Sequence, residues 1–197
     1  MKKQAGFSLV ELVIVIIVVG LLAVAALPRF LNVTDEAKKA QIEGVAGGFA
    51  TAVLSARAQW EAEGRPTFTN NNNSYNKVNY DGTDFWLTVA NSQGNRDGYP
   101  VDIASNNDKR PSGLSKETCA VLFEELMQNP PAITSNESSA KGKSNNYKFY
   151  AAYDSKNRAC EYYQLASANS DNNSTYDVTS GHKFTYTPAL GKVEVSL

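Results

Sequence analysis

The 197 residues suffice for one domain of ordinary size, and two full domains are not expected. With 19 basic and 20 acidic residues the formal charge is −1, so charge gives no reason to expect nucleic acid or a polycation as partner. The chain is uneven: residues 7–27 carry one charge, Glu11, whereas from Arg29 onward there are 17 basic and 19 acidic residues among many Asn, Ser, Thr and Tyr. That pattern excludes a polytopic membrane protein, a collagen-like chain and a wholly disordered one.

The apolar run comes first. As a helix its 21 residues rise about 31 Å at ~1.5 Å each, close to the ~30 Å hydrocarbon core of a bilayer. Lys2 and Lys3 precede it, so the positive-inside rule keeps the N-terminus in the cytoplasm and sends the rest outward. A cleaved secretory signal is the simpler alternative, and Ala23, Ala25 and Ala26 offer the outline of a cleavage site. Against it, the run is longer than a signal core and the helical pattern continues past Ala26.

Glu11 needs a reason, because a carboxylate near the centre of a membrane helix costs roughly 2.5–3.5 kcal/mol, and less near an edge. The span holds no Lys, Arg or His to pair with it. A cut between Gly6 and Phe7 would create a positive amino terminus one helical turn away, and near the Glu11 of a neighbouring copy. The alternative is an interfacial Glu that reaches the headgroups and does nothing more.

The first helix is expected over residues 7–63, interrupted at Pro28, which removes a backbone donor and clashes with the preceding turn. Beyond it, Val33, Ala37, Ala40, Val45, Phe49, Val53, Ala56 and Trp60 recur at helical spacing and predict one stripe under a sheet. Gly44, Gly47 and Gly48 weaken that helix by up to ~1 kcal/mol each. They are read as small residues under a packed sheet, with close helix approach or flexing as the other possibility. Gly64-Arg65-Pro66 ends the helix.

Residues 67–76, rich in Asn, read as an exposed loop. Short strands are expected at 77–80 and 85–89 about an Asp81-Gly82 turn, followed by a loop over 92–112. Ser115 can cap a second helix over 116–128, whose Cys119, Leu122, Phe123, Leu126 and Met127 form one buried stripe. Strands at 147–153 and 159–165, then at 183–187 and 192–195, read as two hairpins. The expected fold class is α+β: a long helix packed on an antiparallel sheet, with an inserted short helix.

Cys119 and Cys160, with 40 residues between them, are most simply a disulfide in an exported domain. Two Cys and one His are too few for a structural zinc site. Asp171, Asn173, Thr175 and Asp177 alternate like the start of a calcium loop, but Tyr176 stands where Gly is needed and His182 where Glu is needed. His182 is read as exposed and most Tyr and Trp as core. No nucleophile elbow, P-loop, dinucleotide fingerprint or zinc-protease motif is present, so no enzyme and no cofactor are expected.

Gly6-Phe7-Ser8-Leu9-Val10-Glu11-Leu12 resembles the processing motif of type IV pilins and type II secretion pseudopilins. The resemblance implies removal of residues 1–6 by a prepilin peptidase, N-methylation of Phe7, and a docking role for Glu11. Gly20 and Pro28 are similar to helix-loosening positions of type IVa pilins, and the short leader favours that branch. Residues 44–50 and Ala58-Gln59-Trp60 look most like pilins of the MSHA (mannose-sensitive haemagglutinin) pilus, a minor pilin among the options. The implied domains are a leader (1–6), a transmembrane and filament-core helix (7–28) and an extracytoplasmic globular domain (29–197). The implied partners are other pilin subunits, the prepilin peptidase and methyltransferase, an assembly platform with its ATPase, and the inner membrane before assembly. Two alternatives stay open: a type II secretion pseudopilin, and a monomeric membrane-anchored module that binds carbohydrate or another ligand.

Overall fold

A computed structural model describes residues 8–70, 72–104, 113–142, 146–169, 175 and 177–197. The chain divides into two units, Met1–Lys38 and Lys39–Leu197.

Helix α1 (Leu9–Ala62) contributes to both units. It does not break at Pro28, contrary to the expected interruption. The proline deprives one carbonyl of its donor, but its fixed φ suits a helix, and a single lost bond does not end an element of 54 residues. Within the second unit the buried stripe of α1 is Ile42, Ala46, Phe49, Ala52, Val53, Ala56 and Trp60, with Val45 partly buried. The stripe begins later than its spacing predicts: Val33, Ala37 and Ala40 are exposed. Alanine and valine at helical spacing mark a face without showing where its cover begins. The cover here begins one turn after Lys39.

Two sheets complete the second unit. The first runs β1 (Thr67–Asn70), β2 (Asn73–Tyr80), β3 (Thr83–Leu87) and β4 (Pro100–Ile103), antiparallel throughout. The second runs β5 (Ile133–Thr134), β6 (Phe149–Asp154), β7 (Ala159–Gln164), β8 (Lys183–Thr187) and β9 (Lys192–Ser196). It is antiparallel except where β5 lies parallel to β6. Helix α2 (Lys116–Leu126) is capped by Ser115, whose Oγ accepts the Thr118 N–H over 3.1 Å. A short α3 (Glu137–Lys141) follows β5. The architecture is the expected α+β one, with its strands divided between two sheets.

The Asn-rich segment is not the expected loop. It forms the hairpin of β1 and β2, with Asn70 paired to Asn73 and Asn72 at φ 64°. Asparagine tolerates that left-handed conformation. The strands are anchored by two aromatics: Phe68 and Tyr75 sit opposite each other, with ring centroids 5.7 and 5.8 Å from Trp86. Strand β4 also falls where a loop is expected. It is four residues long, and proline is tolerated at a strand's first position. Asp81 and Gly82, at φ 49° and 88°, make the expected tight turn between β2 and β3.

One core joins these elements. Phe49 of α1 lies 5.3 Å, centroid to centroid, from both Tyr162 of β7 and Tyr186 of β8, 5.6 Å from Phe184 and 6.2 Å from Phe123 of α2. Burial pushes the Tyr162 and Tyr186 hydroxyls well above the ordinary tyrosine range. Each stays neutral and donates to a carbonyl: Tyr162 to Cys119 over 2.9 Å, and Tyr186 to Pro100 over 2.7 Å. The second bond ties the two sheets together. Cys119 and Cys160, both fully buried, form a disulfide between α2 and β7. Closing a loop of 41 positions corresponds to an entropic stabilisation on the order of 4 kcal/mol.

Because Phe49 touches α2 and two strands at once, Phe49→Ala should cost about 3–5 kcal/mol. Denaturant unfolding of the detergent-solubilised chain, followed by tyrosine signal, measures this. A loss below ~1 kcal/mol would contradict the central place given to this ring.

Candidate functional site

Among the described residues of the first unit, no apolar side chain of the helix is buried. Every described side chain from residue 8 to residue 30 is exposed, on all sides of the helix. Leu9 is 78% exposed, Val24 76% and Phe30 73%. A helix that is apolar all round belongs inside a protein core or a bilayer. This one is long and apolar enough to cross a membrane.

Its start is built from two residues. The Ser8 backbone N–H donates to Glu11 Oε2 over 2.9 Å, and Ser8 Oγ accepts the Glu11 N–H over 3.3 Å. This reciprocal pair is a capping box, which satisfies two donors that a helix N-terminus otherwise leaves unpaired. The carboxylate also sits at the positive end of the helix dipole. Glu11 therefore has a partner within its own chain. The signal is present in the sequence: Ser-x-x-Glu immediately before an apolar run. A search for opposite charge alone passes over it, because the partner is backbone.

Gly20 and Pro28 both lie within α1, and an added Cβ at Gly20 meets no atom within 4 Å. Gly6 and Phe7, the expected processing residues, lie outside the described residues, as do Asp171, Asn173 and Tyr176 of the calcium-like run. Of that run, Thr175 forms a backbone bridge with Gly142, and Asp177 Oδ1 accepts the Thr179 N–H and hydroxyl. Among the described residues no three of His, Cys, Asp or Glu gather as a metal site would need. His182 is half-buried rather than exposed, and its backbone N–H donates to Ser167 Oγ.

Two charged pairs of the second unit are partly buried. Lys77 meets Asp84 at 2.6 Å, and together with an Asn79 hydrogen bond this holds the Asp84 carboxyl below the usual range. Lys183 meets Glu161 at 2.5 Å beside the Tyr163 ring. Both pairs are cross-strand contacts of the kind that fix register.

Gly44, Gly47 and Gly48 of α1 are exposed, and an added Cβ at any of them meets nothing within 4 Å. The sheet does not cover them, so the small-residue reading under a packed sheet is overturned.

Residues 1–27 match the prokaryotic N-terminal methylation motif. The chain is similar to the type IV narrow pilus major component PilA5 of Thermus thermophilus, with 42% identity over 65 residues. The shared stretch is 33% of this chain and 54% of that relative, so the match spans about half of the relative's length. No solved structure matches the chain. Motif and relative agree with the type IV pilin resemblance. Neither separates MSHA pilins from others, nor minor from major components.

If the three helix glycines have no role inside the subunit, Gly47→Ala should stabilise the second unit by about 0.5–1 kcal/mol through helix propensity alone. Denaturant unfolding of the detergent-solubilised chain measures the shift. A loss of stability would show a close contact at that face.

Proposed function

We propose that this chain is a structural subunit of a type IV pilus, held in the inner membrane by its apolar helix until it enters the filament. The observation that carries the reading is the uncovered apolar helix over residues 8–30, headed by a single carboxylate and followed in sequence by a separately packed α+β unit. An apolar surface of that extent needs a bilayer or other apolar helices around it. The methylation motif and the pilus component among its relatives support the second destination. The role is structural rather than catalytic.

In this reading Lys2 and Lys3 keep the leader, residues 1–6, in the cytoplasm. The prepilin peptidase cuts between Gly6 and Phe7, and the new amine is methylated. Residues 7–28 form the membrane helix and later the filament core, with residues 29–197 outside. Glu11 of an incoming copy pairs with the Phe7 amine of its neighbour, so that the carboxylate is not left unpaired among apolar helices. Gly20 and Pro28 loosen the helix for that packing. The assembly platform and its ATPase supply the work of extraction. The finer assignment to an MSHA-type pilus rests on residues 44–50 and 58–60.

Mass spectrometry of the chain recovered from membranes and from sheared surface filaments tests this. The expected mature start is a methylated Phe7 in both fractions. A start at Met1, a cut near Ala26, or absence from every surface filament would contradict the reading.

A further inference from the structure

The first sheet carries a cleft for which filament assembly has no use. It opens where the end of α1 meets the entry to β1 and the β2–β3 hairpin, and its volume is about 270 Å³. Apolar Pro66, Phe68 and Val78 line it together with polar Lys77, Asn79 and Asp84. These walls are fastened within the subunit. The Pro66 carbonyl accepts the Trp60 Nε1–H over 3.0 Å and the Lys77 N–H over 3.3 Å, which holds the entry to β1 against both α1 and β2. Gln59 of α1 donates to the Asn79 carbonyl over 2.6 Å. Asp84 Oδ2 meets Lys77 Nζ at 2.6 Å, and Asp84 Oδ1 accepts from Asn79 Nδ2 over 2.8 Å. Each carboxylate oxygen has room for a further bond, and the ammonium has further protons to donate. The Lys77 and Asp84 side chains are 33% and 35% exposed, so that capacity is within reach of solvent. Groups ordered in advance lose less freedom when a ligand binds.

The lining selects a ligand class. Donors and acceptors stand side by side in a small space, which suits hydroxyl groups, since a hydroxyl both donates and accepts. Glu63 also lines the cleft, so two carboxylates stand against one ammonium among the lining residues, which disfavours a phosphate or an acidic sugar. Phe68, 40% exposed, offers an aromatic surface to C–H groups. The volume lies at the small end of ligand pockets and suits one ring rather than a chain. A neutral pyranose combines a C–H face, hydroxyls round its edge and no charge. We propose that this cleft binds one neutral hexopyranose ring, with Phe68 against its C–H face and Lys77, Asn79 and Asp84 on its hydroxyls. The site does not depend on filament assembly and is tested on the isolated chain.

The two tryptophans of the chain both adjoin the cleft. Trp60 bonds to Pro66, and the Trp86 ring lies 5.7 Å from Phe68 with its buried Nε1 lacking a hydrogen-bond partner among the described residues. Tryptophan emission therefore reports on the cleft. The full chain, in a detergent without a sugar headgroup, is titrated with the methyl glycosides of glucose, mannose and galactose. N-acetylneuraminic acid, inorganic phosphate and glycerol are titrated in parallel. The expected result is a saturable change for at least one neutral glycoside, with a Kd on the order of 1 mM, and none for the three other probes. Phe68→Ala and Asp84→Asn should each weaken binding about ten-fold, through loss of the aromatic surface and of a charged acceptor. Phe68→Tyr retains the ring and should match the parent. Phe68 also anchors the β1–β2 hairpin, so Asp84→Asn, at a partly exposed pair, carries the test if Phe68→Ala unfolds.

No saturable change with any neutral glycoside would overturn the proposal. Parental binding by Asp84→Asn, or by a folded Phe68→Ala, would place the sugar elsewhere. Tighter binding of N-acetylneuraminic acid or phosphate, or an equal response to glycerol, would overturn the ligand class. A free glycoside and the same sugar at the end of an oligosaccharide should bind alike, and binding of the oligosaccharide alone would overturn the assignment to a single ring.

Discussion

A helix that is apolar on every side needs cover all round, from a protein core, a bilayer or other apolar helices. Over residues 9–30 not one described side chain of α1 is buried, although most are Val, Ile, Leu or Ala. The second unit closes its core without this stretch, using the later part of α1 from Ile42 onward. The ionisable groups outside the leader begin in earnest only at Arg29, with Glu11 the one exception. That exception stands at the helix head, where the backbone donors lack partners and a carboxylate is least costly. A charge in the middle of the run would have had no such compensation.

The second unit shows what the same helix does once it has cover. A stripe at helical spacing turns inward, and Phe49 meets rings from α2 and the second sheet. The buried disulfide and the Tyr186 bond to the Pro100 carbonyl tie α2 and both sheets into that core. The opposite face of the helix keeps three glycines, each a cost to helix propensity with no contact inside the subunit to offset it.

Much of this is legible in the sequence. The apolar run, the lone Glu11, the Ser115 cap, the α2 stripe and the two C-terminal hairpins all follow from periodicity and turn chemistry. What escapes a sequence reading does so for physical reasons. The β1–β2 hairpin is mostly Asn, Ser and Thr, and its strand character comes from packing Phe68 and Tyr75 on a tryptophan distant in sequence. Strand β4 and helix α3 have four and five residues, too few to show a period. The buried stripe is predicted too early because Val33, Ala37 and Ala40 share its spacing, and spacing alone does not reveal what lies opposite. Of the candidate site, Glu11 stands out and its capping partner Ser8 does not, though the motif that joins them needs only the two residues and the gap between them.

The central claim of the proposed function is that the uncovered helix is covered by the same helix of other chains rather than by lipid alone. A photo-crosslinking residue placed at Val18, on the bare stretch of α1, tests it most directly in the surface-filament fraction of cells that make the full chain. The account predicts a ladder of chain-to-chain adducts in sheared filaments, with lipid adducts confined to the membrane pool. Lipid adducts alone, with no ladder in any fraction, would contradict it and leave the helix a simple membrane anchor.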